Sequence, residues 1–465
     1  MKNYEEIIEK LLTRITELET LVAKQATEIA ELKRRLNKNS SNSSKPPSSD
    51  GLKKAPRTTS LREQGKNKSG GQTGHKGTTL EQVSCPNNII THTLHECPDC
   101  GESLSNKSVH RVIKRQVFDL PPIQVDITEH RVEMKYCSSC QRQVQSDFPL
   151  GVKAPVQYGN RVRSWIVYYQ NQHMIPEDRI QQLFMDMYSL PISTASIASF
   201  TEKAYQRLKA FELSVLARTK KAPVKHLDET GFRVSGKTQW MHTLSTQDVT
   251  YYHVSPKRKS LIDGVTGIAV HDHWRPYYQI PNVSHALCNQ HHLRELKAVA
   301  ENDKEAWAAQ MSKLLTLMLR CRHRYDNKPI PLSQLNRLER LYDSIIHQAL
   351  TWHESQPPLK LQKIIRGRPK LRHGHNLLLR LKHHREEVLR FLHNPQVPFT
   401  NNDAERDLRM VKCKQKVSGG FRTSAGAEYF ARIRGFISTA RKQQWDILES
   451  ILAAFTYSLP ILATE

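Results

Sequence analysis

Val224-Lys225-His226-Leu227-Asp228-Glu229-Thr230-Gly231 carries an apolar, strand-like run into an acid. Strand-like stretches at residues 239–244 and 249–254 follow it in the pattern of a hairpin. Gly267-Ile268-Ala269-Val270-His271-Asp272-His273-Trp274 then repeats the device, an apolar strand with an acid at its end. A third acid comes much later, in Thr400-Asn401-Asn402-Asp403-Ala404-Glu405-Arg406-Asp407-Leu408-Arg409, a helical pattern that runs on through Lys412, Lys414 and Lys416. On one face of that helix, Asn402 precedes Glu405, and Arg409, Lys412 and Lys416 follow it. Two strand-end aspartates and one helix glutamate can converge on two Mg²⁺ ions, which activate a nucleophilic oxygen and stabilise a leaving oxygen in phosphoryl transfer. The row of cations on the same face suits phosphates. Spacing alone does not select this triad from 45 acidic residues, with Glu229 and Asp263 as the obvious competitors. Asp263 precedes Gly264 and reads as a turn residue.

The 465 residues are enough for about three domains of roughly 150 each. A formal charge of +25 favours a polyanionic partner, nucleic acid first. The start, Met1-Lys2-Asn3-Tyr4-Glu5-Glu6, does not read as a signal peptide. The stretch from Trp445 to Leu462 is broken by Asp446, Glu449 and Pro460, so no membrane span is expected and a cytoplasmic protein is. Four of the eight cysteines sit in two Cys-x-x-Cys pairs, which in a reducing compartment reads as metal ligation.

Ile8, Ile15, Val22, Ile29 and Leu36 recur every seven residues, with Leu11, Leu18, Gln25 and Leu32 in the second register. β-Branched a positions with leucine at d predict a parallel two-stranded coiled coil over residues 1–36. Residues 37–80 form a basic linker rich in Ser, Asn, Pro and Gly, with nine Lys/Arg against two Asp/Glu, unable to build a core. Its cluster Gly70-Gly71-Gln72-Thr73-Gly74-His75-Lys76-Gly77 lacks the Ser/Thr after lysine that a Walker loop needs. Residues 81–150 hold Cys97-Pro98-Asp99-Cys100 and Cys137-Ser138-Ser139-Cys140, four thiolates suited to one structural Zn²⁺. Strands are expected around residues 109–118 and 123–135. Residues 151–218 read as helices, including a helix–break–helix around Ser189-Leu190-Pro191 with Ser193 as N-cap. That arrangement fits a helix-turn-helix DNA reader or a bundle that only packs. Residues 301–394 are helical by periodicity. Within them, Arg366-Gly367-Arg368-Pro369-Lys370 resembles an AT-hook core, whose Arg366 and Arg368 would enter a minor groove or touch phosphates.

Taken together, these stretches resemble transposases of the insertion-sequence-66 family. The resemblance runs through the zipper, residues 39–47 and 70–80, the cysteine pairs, residues 158–193, 226–234 and 270–277, and Asn401–Arg409 with Ser438-Thr439-Ala440. It covers nearly the whole chain in the family's order. The loop Val417-Ser418-Gly419-Gly420-Phe421-Arg422-Thr423 departs from it, since members often carry an aromatic and charged run there.

The resemblance implies a multidomain α+β protein whose catalytic domain is RNase H-like. Its first part would span residues 219–300, its helical insertion 301–394, and its second part with the C-terminal helix 395–465. Asp228, Asp272 and Glu405 would then be a DDE triad binding Mg²⁺ or Mn²⁺. His285-Ala286-Leu287-Cys288-Asn289-Gln290-His291 looks like the family's Cys-x-x-His segment, in which His291 orients a substrate phosphate or a catalytic carboxylate. A zinc site at Cys288 and His291 is set aside because two further ligands are not evident. The expected partners are the transposon's terminal inverted repeats, target DNA, a second copy of the chain or a higher synaptic assembly, and accessory proteins of the same element. The rival readings are a non-transposing nuclease of the same fold and an inactive zinc-containing DNA-binding protein.

Overall fold

The computed structural model describes residues 2–39, 42–43, 80–121, 124–260, 262–326, 328–357, 359 and 371–462. They fall into two compact units, one drawn from residues 1–59 and 130–465, the other from 60–129. Most of the linker and the Arg366–Lys370 stretch lie outside the described residues.

In the larger unit, α1 (Lys2–Leu36) is one continuous helix whose heptad residues stay in solvent: Ile15 is 50% exposed and Val22 62%. Near its end the Arg34 guanidinium bonds Asp303 at 2.8 Å. A hairpin of β1 (Met134–Cys137) and β2 (Arg142–Gln145) follows in chain order. Four helices come next, α2 (Asn160–Asn171), α3 (Glu177–Tyr188), α4 (Thr194–Arg207) and α5 (Lys209–Lys221). Ser189 ends α3 in the left-handed region, and the Ser193 hydroxyl caps α4 by accepting the Ser196 N–H at 3.1 Å.

The central sheet has five strands: β3 (Val224–Val234), β4 (Lys237–Ser245), β5 (Thr250–Ser255), β6 (Gly267–His271) and β7 (Val283–Leu287). Their order is β5-β4-β3-β6-β7; β3, β4 and β5 are antiparallel neighbours, while β6 and β7 run parallel to β3. β3 does not stop at Asp228 as its sequence suggests. Its pairing with β6 ends at His226, but β4 keeps pairing with it to Val234, through a two-residue turn of Ser235 (φ 47°) and Gly236 (φ 74°).

Three further groups of helices complete the unit. The first is α6 (Asn289–Ala298), which runs into a π-helical turn at Val299–Asp303. The second comprises α7 (Ala306–Tyr325), α8 (Leu332–Ser355), α9 (His373–His383) and α10 (Arg385–His393). The last group is α11 (Asn402–Ser418), α12 (Ser424–Lys442) and α13 (Ile447–Thr456).

Strand alternation divides the core. Phe232, Val234, Met241 and Tyr252 face Leu408 and Val411 of α11 and Phe430 of α12. Leu227, Leu244 and Ala269 face the other way, against Tyr277 and Ile280. The outer side of α12 (Ile433, Phe436, Ile437) packs on α2 to α5 and α13. The helices of residues 160–221 thus spend their apolar faces on the C-terminal helices. Among the described residues no helix is long and apolar enough to cross a membrane.

The smaller unit forms no strand at residues 109–118. Between residues 124 and 135 only Met134 and Lys135 are in one. Val109, Val112, Ile113, Val117 and Ile127 are all at least 67% exposed. β-Branched residues favour a strand when a neighbouring face receives them, and among the described residues none does.

Candidate active site

The parallel register Val224↔Ile268, Lys225↔Ala269, His226↔Val270 ends two residues short of Asp228 on β3 and of Asp272 just after β6, so both acids lie beyond the same end of the β3–β6 pairing. Each aspartate is braced by a backbone N–H, that of Glu229 onto Asp228 at 2.9 Å and that of Trp274 onto Asp272 at 2.9 Å. Asp228 has the strand parity of Phe232 and Val234, which face α11. Glu229 has the opposite parity. It accepts bonds from the Tyr277 hydroxyl and from Arg258, whose Nη2 lies at 2.6 Å and whose guanidinium sits between the rings of Trp240 and Trp274. Asp263 is exposed at a bend.

Glu405 reaches this end of the sheet on α11, and two buried side chains fix that helix. The Asn401 amide donates to the Leu227 carbonyl at 2.7 Å, and its Oδ1 lies 2.8 Å from His226 Nδ1. The Asn401 backbone N–H points at Cys288 Sγ, 3.1 Å away, after β7. One asparagine therefore joins the strand of Asp228, the loop after β7 and the start of the Glu405 helix. Farther along, Asp407 turns into the sheet. It accepts from Ser245 and Thr250 at 2.9 Å each and from Lys442 at 3.1 Å. The Tyr252 hydroxyl bonds its carbonyl at 2.9 Å. Asp403 pairs with Arg406 at 3.2 Å and approaches His226.

Burial, and then the nearby carboxylates of Asp272, Glu229 and Glu405, push the Asp228 carboxyl well above the usual range. Such crowding costs free energy unless a cation joins it, and the donors are the oxygens that Mg²⁺ prefers. The donor types therefore suit a divalent metal, although among the described residues the ligand atoms gathered within 4.8 Å of one another are those of Cys288, His291 and Glu405, and the three carboxylates stand farther apart. Burial first, opposed by Glu405 and Asp272, lowers the His291 imidazole. Its Nδ1 is 3.9 Å from Glu405 Oε1. Burial raises the Cys288 thiol to about 12.

On the outer part of α11, Asn402, Arg409, Lys412 and Lys416 are exposed, and the Lys412 ammonium donates to the Gly231 carbonyl of β3. Gly420, beyond α11, passes the Arg233 carbonyl so closely that a Cβ would lie 2.6 Å from it. This seats Phe421 beside Val234. Arg366 and Arg368 lie outside the described residues. Sequence reasoning missed Asn401, the Arg258 sandwich and the company Cys288 keeps. Only Asn401 carried a signal, as a residue suited to helix capping.

Each cysteine pair forms a knuckle of its own. In the smaller unit the Gly101 N–H returns to the Cys97 carbonyl at 2.9 Å, with Gly101 at φ 74°. In the larger unit Cys137 ends β1, and the Cys140 N–H points at its sulfur from 3.5 Å. Backbone N–H groups lower the pKa of both leading thiols, Asp99 acting most on Cys97 and Cys140 on Cys137.

A family model described as "Transposase IS66 family" matches residues 155–429, more than half of the chain. Residues 95–141 match the "zinc-finger binding domain of transposase IS66", and residues 3–81 match a family of unknown function, DUF6444. An uncharacterized protein, y4jO, of Sinorhizobium fredii is 30% identical over 124 residues, 24% of this chain and 39% of that protein. The chain thus matches well under half the length of this curated relative.

Proposed function

This chain belongs to the IS66 transposase family, and on that premise we propose that it is a DDE transposase, cutting phosphodiester bonds at transposon ends and joining the ends to target DNA. The observation that supports the reading is that Asp228 is buried on β3, with Asp272 just after the parallel strand β6 and Glu405 on α11 near enough to raise its carboxyl further. Three antiparallel strands continued by two parallel ones support an RNase H-like catalytic domain. The three carboxylates would hold Mg²⁺ or Mn²⁺, which supplies activation of the attacking oxygen and neutralises charge on the leaving one.

The chain's own contribution is placement. Arg409, Lys412 and Lys416, with Asn402, hold backbone phosphates along α11, and His291 orients a substrate phosphate or the Glu405 carboxylate. In the first reaction a water oxygen attacks phosphorus and the P–O3′ bond breaks, leaving a free 3′-OH. In the second, that hydroxyl attacks a target phosphorus and a target O3′ departs. An assay with precleaved ends tests the reading: joined product is expected, whereas a nuclease of the same fold gives none.

The zinc-finger match supports structural zinc. Cys97, Cys100, Cys137 and Cys140 as its ligands rest on their number and spacing. The helical region of residues 151–218, the basic linker and the zinc module are the proposed end-binding elements, and Arg366 and Arg368 are proposed to add minor-groove or phosphate contacts.

We also propose that α1 pairs with a second copy of the chain, matching two subunits to two transposon ends. Its heptad seam touches solvent along its whole length, and such a surface is stable only when covered. Val22→Asp combined with Ile15→Asp is expected to convert a dimer at micromolar concentration to a monomer by sedimentation, with the melting of the remaining domains unchanged. A monomeric wild type would remove the proposal.

A further inference from the structure

We propose that Cys288, His291 and Glu405 form a second metal site, suited to a borderline-soft divalent cation such as Zn²⁺. A cation held there draws Glu405 away from the aspartates and arrests cleavage. The binding half stands on geometry alone; the arrest rests on the catalytic reading above.

Cys288 Sγ, His291 Nδ1 and a Glu405 carboxylate oxygen all lie within 4.8 Å of one another. Ligand bonds of about 2.0–2.3 Å around a tetrahedral zinc place neighbouring donors about 3.3–3.8 Å apart. The set needs to close by roughly 1 Å, within reach of side-chain rotation. Cys288 stands at the N-cap of α6 and His291 three residues later, so the Cys-x-x-His spacing presents sulfur and imidazole to the same side.

The second observation is independent of this spacing. His291 Nδ1 and Glu405 Oε1 are buried, and neither has a hydrogen-bond partner among the described residues. Buried polar atoms are nearly always satisfied, and two orphans 3.9 Å apart beside a thiol are accounted for by one shared cation. The Asn401 N–H directed at Cys288 Sγ opposes the burial that raises this thiol, and it is a contact that a metal-bound sulfur would accept equally.

The donor set also states the selectivity. Sulfur, nitrogen and one oxygen favour zinc over magnesium, whereas the all-oxygen set of Asp228, Asp272 and Glu405 favours magnesium. Glu405 is the shared member, so occupation of one site is set against full ligation of the other. Three protein ligands leave a fourth position for water.

The test uses the full chain, stripped with chelator, reloaded with Zn²⁺ and assayed for bound metal. Cys288→Ser and His291→Ala are each expected to hold one zinc fewer per subunit than wild type, while Cys97→Ser loses zinc and keeps this site. In Mg²⁺ buffer, Zn²⁺ is expected to halve cleavage by wild type at a concentration at least about tenfold lower than for Cys288→Ser. Equal zinc content in wild type and both variants, with native near-ultraviolet dichroism, overturns the site. A lost zinc with unchanged inhibition overturns the arrest alone. If no form of the chain cleaves DNA, the catalytic reading has failed, and the difference in zinc content still decides the site.

Discussion

Changing Asp228, Asp272 or Glu405 to its amide is expected to lower end cleavage by at least about three orders of magnitude, ~4 kcal/mol of barrier, with end binding retained. A stability measurement accompanies the activity. The Asp228 carboxyl is raised in the folded chain by burial and then by Asp272, Glu229 and Glu405. A raised folded value means that the ionised form is disfavoured on folding. The cost is therefore present above the folded pKa and vanishes below the unfolded one. At pH 7.5 without divalent metal, Asp228→Asn should melt higher than wild type. Mg²⁺ should stabilise wild type and leave the variant nearly unchanged, because only the intact cluster binds it well. Glu229→Gln is the control, because that carboxylate faces Tyr277 and Arg258. Loss of cleavage in Glu229→Gln with full activity in Asp228→Asn would reverse the assignment.

The second large effect is on stability. Asp407→Ala leaves Lys442 without its carboxylate and strips an acceptor from Ser245 and Thr250. Breaking a buried ion pair from one side costs about 3–5 kcal/mol, readable as a fall in the denaturant midpoint. Asp403→Ala, whose pair with the exposed Arg406 lies at the surface, should cost within about 1 kcal/mol. Equal effects from the two changes would show that Asp407 does not clamp α11 to the sheet.

Much of the site was legible because its signals are periodic or terminal. An apolar run that meets an acid made Asp228 and Asp272 candidates among others, the family resemblance selected them, and helical spacing put Arg409 and Lys412 on one face with Glu405. The same spacing turned Asp403 and Asp407 away, as the structure shows. What stayed hidden depends on partners far off in sequence. β3 runs on past Asp228 because β4 returns beside it, which no local pattern in Val224–Gly231 shows. Asn401 is written like a helix cap, yet its amide serves β3. The pair Cys288–His291 looked short of ligands because its third lies more than a hundred residues away, on α11. In residues 109–121 and 124–133 the error ran the other way: strand propensity was present, and among the described residues the surface to receive it was not.

The order of these contacts along the chain has a consequence for synthesis. Chains fold broadly from the N-terminus as they leave the ribosome, and contacts distant in sequence form last. Asp228 on β3 and Asp272 just after β6 belong to a part of the sheet that can assemble early, while Glu405 docks with α11, whose Asn401 and Asp407 each reach back more than 150 residues. On the catalytic reading, a growing or prematurely terminated chain carries two of its three acids and cannot cut the DNA around it. Competence arrives in one late event, when α11 closes over the sheet.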